Sequence, residues 1–248
     1  MAYSDILATG MDASKIALVD RDLALNAYRS VDPETPFNMT TDGAKRLGAV
    51  IGCDFLLLIK ADIQRRNSST NGDHYEAYAA IYLVSSRTGR LVEWMLPTFE
   101  ASISTAAISE LMSDAVSKSS AVVKRIALAA RPDVSIAAPL PMDGPPEAGS
   151  ELAKSFKSPI PFRRIKPEYP ALAALYEIAA TVEIVVDLDD KGEVLRTEIV
   201  KWAGFGLDES VEKAVRQMSW RPAERNGKFL PMRFLLRYNF KKLEKNNP

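Results

Sequence analysis

The chain has one histidine, His74, and one cysteine, Cys53. That inventory removes most of the chemistry that side chains perform. A Ser-His-Asp triad, a Cys-His pair and a multi-histidine metal centre each need groups the sequence does not supply. Two carboxylate clusters are left. Asp20-Arg21-Asp22 has the form of a salt bridge and helix cap at the end of a strand, against the alternative of a paired acid and base. Asp187, Asp189 and Asp190 offer the oxygen ligands that Ca²⁺ takes but match no calcium-loop signature, and a solvated hairpin turn accounts for them. His74 stands at a strand start beside a turn, where it is expected to be exposed. Cys53 lies between a helix end and an apolar strand, the setting of a buried thiol. A lone cysteine closes no intramolecular disulfide and builds no thiolate metal site, and no glycine-rich phosphate loop is present. No catalytic residue, metal ligand or cofactor site is therefore expected, and a protein that binds or builds is expected rather than an enzyme.

Composition agrees with that reading. Of 248 residues, 47% are hydrophobic and 26% charged, and Lys+Arg and Asp+Glu both number 32. This is ordinary globular composition with no charge excess to attract nucleic acid. The longest apolar run, "AYAAIYLV" at Ala77–Val84, is far shorter than the ~20 residues a membrane-spanning helix needs. The start, "MAYSDILATGMDASK", lacks the basic and long apolar regions of a signal peptide.

The elements fall into two groups separated by proline. Nine of the 15 prolines lie between Pro132 and Pro170, which marks a linker of polyproline character. The expected division is a domain over 1–130, a linker over 131–159 and a second domain over 160–248. In the first domain "YSDILATGM" reads as the end of a helix and Lys15–Asp20 as a short buried strand. Thr40–Gly52 reads as a helix capped by Thr40 or Thr41. Three strands with tight turns follow. In the first of them Phe55, Leu57, Ile59, Ala61 and Ile63 alternate onto one face; the others are "HYEAYAAIYLVSS" and "RLVEWML". A long helix over about Ser104–Ala130 carries an apolar stripe of Ile108, Leu111, Met112, Ala115, Ser119, Val122, Val123 and Ile126. The expected fold class is α+β, with a first domain in which helix covers an antiparallel sheet.

The second domain reads α-β-β-α-β. A short helix begins near Pro170. A hairpin follows, with Val182, Ile184, Val186 and Leu188 on one face and a turn at Asp190-Lys191-Gly192. The next helix, from about Asp208 to Met218 with Asp208 as its N-cap, buries Val211, Ala214, Val215 and Met218. The last strand alternates Met232, Phe234, Leu236, Tyr238 and Phe240 with Arg233, Leu235, Arg237 and Asn239. Between that helix and strand stand "WRPA" and an Asn226-Gly227 turn.

This order, with "PEYP", "DDKGEV", "GFGLDESVEKAV", "WRPA" and "NGK", resembles the C-terminal domain of the TonB energy-transducer family over residues 160 to 245. Trp202-Ala203-Gly204 departs from the Ser-Ser-Gly type of segment usual there, in a loop. The first domain, on "ALVDRD" and "AKRLGAVIGCDFLLL", more loosely resembles TolB amino-terminal and CsgG-like envelope domains. The TonB resemblance implies a periplasmic binding module. It captures an extended peptide, the TonB box of an outer-membrane transporter, by strand addition along the edge formed by Met232, Arg233, Phe234, Leu235, Leu236, Arg237, Tyr238, Asn239 and Phe240. Arg233, Arg237 and Lys241 would discourage unguided edge-to-edge pairing. The family couples transport to proton-motive force through a membrane helix that engages the ExbB–ExbD complex. That role needs an anchor upstream, since this chain offers no transmembrane segment. The alternative is an envelope structural or assembly protein, with partners on the first domain and a second domain that docks or forms a homodimer through its edge strand.

Overall fold

A computed structural model describes residues 2–12, 16–31, 35–68, 72–130 and 142–241. They group into two compact units, Met1–Phe37 with Thr41–Val134, and Asn38–Thr40 with Ser135–Pro248. The expected turn at Asn67–Asp73 and the expected linker lie partly outside the described residues, at 69–71 and 131–141.

In the first unit, α1 (Tyr3–Asp12), α2 (Arg21–Val31) and α3 (Thr41–Ile51) precede β1 (Phe55–Ser68), β2 (Gly72–Ser85), β3 (Leu91–Met95) and β4 (Thr98–Ala101); α4 (Ser104–Ala129) follows. β1 and β2 pair in unbroken antiparallel register from Phe55↔Ser85 to Ser68↔Gly72. β3 and β4 share the other side of β2, one after the other. Pro97 separates them, and its carbonyl accepts from Ala79 N–H at 3.1 Å. A proline cannot donate to the ladder, so a fourth strand follows the three expected.

The apolar run of β2 is explained by burial on two faces. Ala77, Ala79 and Ile81 join Tyr3, Leu7 and Met11 of α1 and Ala107, Leu111, Ala115 and Val122 of α4 in one core. Leu57, Ile59 and Ile63 of β1 pack against that core. On the opposite face Tyr82 meets Phe37 and Trp94, with ring centroids 5.6 and 6.5 Å away. The α4 stripe runs through Leu111, Ala115, Ser119 and Val122, while Ala107 takes the inner place expected for Ile108, which is 36% exposed. A Cβ on Gly10 would stand 2.4 Å from Ser119 Oγ, so α1 approaches α4 only through glycine.

Three local expectations are corrected here. Of the expected strand Lys15–Asp20, Lys15 lies outside the described residues and residues 16–20 have no regular structure; Leu18 is 46% exposed. Asp20 instead caps α2, its Oδ1 accepting from Leu23 N–H at 3.0 Å, and Arg21 pairs with Asp5 at 2.8 Å. His74 is buried, not exposed, because the neighbouring strand β4 brings Glu100 within 3.6 Å of its Nε2. Cys53 is only half-buried. Its sulfur lies 3.6 Å from Ser86 Oγ, and burial raises the thiol pKa above its ordinary value.

In the second unit, α5 (Glu151–Lys154), β5 (Phe156–Lys157) and β6 (Ile160–Pro161) lead to α6 (Ala171–Leu175), the hairpin β7 (Ala180–Leu188) and β8 (Val194–Lys201), α7 (Leu207–Arg216), the short strands β9 (Trp220–Arg221), β10 (Ala223–Arg225) and β11 (Lys228–Leu230), and β12 (Met232–Phe240). The main sheet has the order β12-β7-β8. Val182, Ile184, Val186 and Leu188 are fully buried on its inner face, with Leu207, Val211 and Val215 of α7. Gly192 turns the hairpin with φ of 87°.

The stretch from Trp220 to Lys228 has its own architecture. β9 pairs with β6, and β10 pairs with both β11 and β5. Asn226 and Gly227 both have positive φ, 52° and 79°, as a type I′ hairpin turn requires. The proline-rich span expected to be linker thus carries structure from Glu151 onward. Ser150 caps α5 by accepting from Ala153 N–H at 3.3 Å.

Candidate functional site

β12 occupies one edge of the main sheet, with β7 as its neighbour. In an antiparallel pair the backbone groups of alternate residues point to opposite sides of the strand. The parity is fixed by two hydrogen bonds. Arg233 N–H donates to Asp143 O at 3.1 Å, away from β7, so Arg233, Leu235, Arg237 and Asn239 direct their N–H and C=O outward. At the far end Asn239 stands opposite Thr181. Thr181 turns its backbone to Asn38 of the same unit, donating to Oδ1 at 2.9 Å and accepting from Nδ2 at 2.7 Å. That side is away from β12, which agrees with the outward parity of Asn239. Phe234, Leu236, Tyr238 and Phe240 therefore pair with β7. Among the described residues the outward groups of Leu235, Arg237 and Asn239 have no backbone partner.

The same alternation sets the side chains. Phe234, Leu236, Tyr238 and Phe240 turn toward the helix face, where Trp220 meets Phe234 edge-on at 5.2 Å and Tyr169 stacks on Phe240 at 6.1 Å. Met232 is fully buried. Burial raises the Tyr238 phenol pKa, against a lowering influence from Arg164. The other face is a ladder of charges and one apolar rung. Arg233 grips Asp187 through two bonds of 2.6 and 2.7 Å, Arg237 pairs with Glu183 at 2.8 Å, and Asn239 accepts from Thr181 Oγ1 at 2.8 Å. Leu235 is 49% exposed between them. The arginines read as guards of the edge thus spend their charge across the strand, on β7. Bidentate Arg–carboxylate pairing fixes geometry as well as adding energy.

The carboxylates singled out as calcium candidates have other employment. Asp187 serves Arg233, and Asp189 Oδ1 accepts from Lys191 and Glu193 N–H, both at 2.8 Å. Among the described residues no group of three His, Cys, Asp or Glu side chains could hold a metal ion.

Asp208 is not the N-cap of α7. That position belongs to Gly206, whose φ is 78°. The carboxylate of Asp208 instead accepts from Ala203 N–H at 2.9 Å and Gly204 N–H at 2.8 Å. It pins the Trp202–Gly206 loop, in which Gly204, Phe205 and Gly206 all have positive φ. Burial pushes its pKa up to about 7, against the two backbone donors that favour the anion; Glu209 adds to the rise.

Sequence reasoning found neither Asp143 nor Asn38. Both act through groups that periodicity cannot report, a carbonyl in an irregular segment and an amide far away in the chain.

The fold and the edge define a class: a small α+β module whose sheet ends on a strand with outward backbone groups. Residues 165–241 match the family model for the Gram-negative bacterial TonB protein C-terminal domain. The chain therefore carries a TonB C-terminal domain over those residues. Among solved structures, the chain is similar to the Pseudomonas aeruginosa TonB C-terminal domain at 21% identity over 38% of this chain and 92% of that one, with a TM-score of 0.31. It is also similar to a hypothetical protein from Chlamydia trachomatis at 10% identity, 49% and 85% coverage and a TM-score of 0.31. No curated protein matches the chain. The first unit has no family assignment. No described helix is long and apolar enough to cross a membrane.

Proposed function

We propose that the second unit is a periplasmic binding module. It captures an extended peptide, the TonB box of an outer-membrane transporter, by strand addition along β12. The carrying observation is the row of outward backbone groups at Leu235, Arg237 and Asn239, within a domain matched by the TonB family model. An extended peptide satisfies such groups and gains a ladder without unfolding anything. Leu235, half-exposed between two ion pairs, offers a peptide side chain an apolar contact. Joined to a membrane anchor, the module would serve energy-coupled transport. The same edge would accept a second copy of the domain as a competing partner. No step of this function breaks a covalent bond, and the unit acts as a binding protein rather than an enzyme.

The test uses the backbone parity. Leu235→Pro removes an outward donor and leaves every bond to β7 in place, so the fold survives and affinity for TonB-box peptides falls at least about tenfold. Leu236→Pro removes a donor to β7 and destabilises the unit itself by roughly 3 kcal/mol. NMR titration of the labelled protein with peptide, and with unlabelled protein, reads both. Wild-type peptide affinity in Leu235→Pro would remove β12 as the site.

A further inference from the structure

Among the described residues, the outward donor of β12 that is occupied is the first, and the occupant is the chain's own proline-rich segment. Arg233 N–H donates to Asp143 O at 3.1 Å. What surrounds Asp143 in the chain limits that contact to a latch. Met142-Asp143 is followed by Gly144, Pro145 and Pro146, and residues 142–147 have no regular structure. Two successive prolines have no N–H to offer, so residues 145 and 146 add no donor to a ladder beside β12. Among the described residues the contact with the outward row is the one bond at Arg233. The prolines also restrict the released segment, so little backbone freedom is gained when it leaves. A latch of one hydrogen bond, held by a stiffened chain, is strong enough to bias an equilibrium and weak enough to be displaced.

We infer that the 142–146 segment is a built-in competitor for the β12 edge. Resting on the strand-addition reading above, the edge is closed at Arg233 in the free protein, and a peptide that pairs along the whole strand must displace Asp143. Two consequences follow. A peptide that pairs only with Leu235, Arg237 and Asn239 does not meet the latch, so the latch sets the register of short peptides. Longer peptides bind with an apparent affinity reduced by the fraction of molecules in which the edge is open.

Pro145→Gly/Pro146→Gly in the full chain tests this. Two glycines give the released segment the freedom that proline withholds, so the open form gains by roughly three- to tenfold. The amide of Arg233 should exchange with deuterium correspondingly faster in the variant than in the wild type. A TonB-box peptide long enough to reach Arg233 should bind about three- to tenfold tighter to the variant. A truncated peptide confined to Leu235–Asn239 should bind both proteins alike. Equal affinity of the long peptide for both proteins, with binding intact, overturns the latch and leaves strand addition standing. Binding of no peptide by either protein overturns strand addition and the latch's role with it. Equal exchange at Arg233 in the two proteins shows that the segment does not close the edge and also overturns the proposal.

Discussion

Asp208 makes the second unit more stable as the solution becomes more acidic, over a range where most proteins are indifferent or lose stability. The residue is 9% exposed and its folded pKa is raised from 3.8 to about 7. Between those two values the folded state holds a proton that the unfolded state has released. Stability therefore falls as pH rises through this window. A shift of about three units corresponds to an upper bound on the order of 4 kcal/mol between pH 4 and pH 8. That is a large part of a small unit's stability. His74 lies in the first unit, so no imidazole of the second unit titrates in this range. Urea unfolding between pH 5 and 8, followed by the fluorescence of Trp202 and Trp220 in a Trp94→Phe background, isolates the second unit. Asp208→Asn should abolish the slope. It should also cost about 1–3 kcal/mol at pH 5, because the amide NH2 takes the place of the oxygen that accepts from Ala203 N–H and is buried facing a donor. At pH 8 the two proteins should converge. The competing physics is the pair of backbone donors, which favour the anion. If they outweigh burial, both states are ionised above pH 5 and wild-type stability will be flat from pH 5 to pH 8, and that missing slope would refute the argument.

Other substitutions probe the packing of each unit. Leu111→Asp and Val122→Asp each place an unpaired charge in the core shared by α1, α4 and β2, and each should unfold the first unit; wild-type melting of either would disprove the stripe. Asn38→Ala leaves Thr181 N–H and C=O and the Trp202 carbonyl, now bonded at 2.7–2.9 Å, without their partner. It should cost the second unit about 1–3 kcal/mol in urea unfolding. An unchanged midpoint would show that water replaces the amide at no cost.

The parts of the fold legible in the sequence are those in which a side-chain period meets a single covering surface. The β7 hairpin buries Val182, Ile184, Val186 and Leu188 as their alternation requires, and α7 buries Val211, Ala214 and Val215 at helical spacing. α4 was legible for the same reason, except that Ile108 lies at the margin of its stripe and Ala107 inside it. Failures occur where a tertiary neighbour decides. Residues 16–20 have strand-like apolar content, but among the described residues no strand pairs with them. Asp208 has the residue type and place of an N-cap, yet the left-handed turn at Gly206 ends the loop two residues early and hands the carboxylate to Ala203 and Gly204. The sequence around His74 reports only its own turn, whereas β4, the strand that follows the break at Pro97, brings Glu100 beside it.

The candidate edge divides along the same physical line. The period of two identifies which side chains of β12 face the helix, because burial is written in residue type. It does not identify which backbone groups face outward, because every residue except proline carries the same N–H and C=O. A strand with this sequence placed between two others would bury the same Phe234 and expose the same Leu235, and would bind nothing. What distinguishes the edge is topology, the order β12-β7-β8, and then two hydrogen bonds far apart in the chain, Arg233 to Asp143 and Thr181 to Asn38. Those bonds assign the odd-numbered residues to the open side. The assignment changes what mutagenesis can say: prolines at Leu235 and Arg237 probe the same outward row, and only an even-numbered position such as Leu236 supplies the inward control. The sequence pattern therefore selects the strand, while the backbone parity selects the residues on it that can accept a partner.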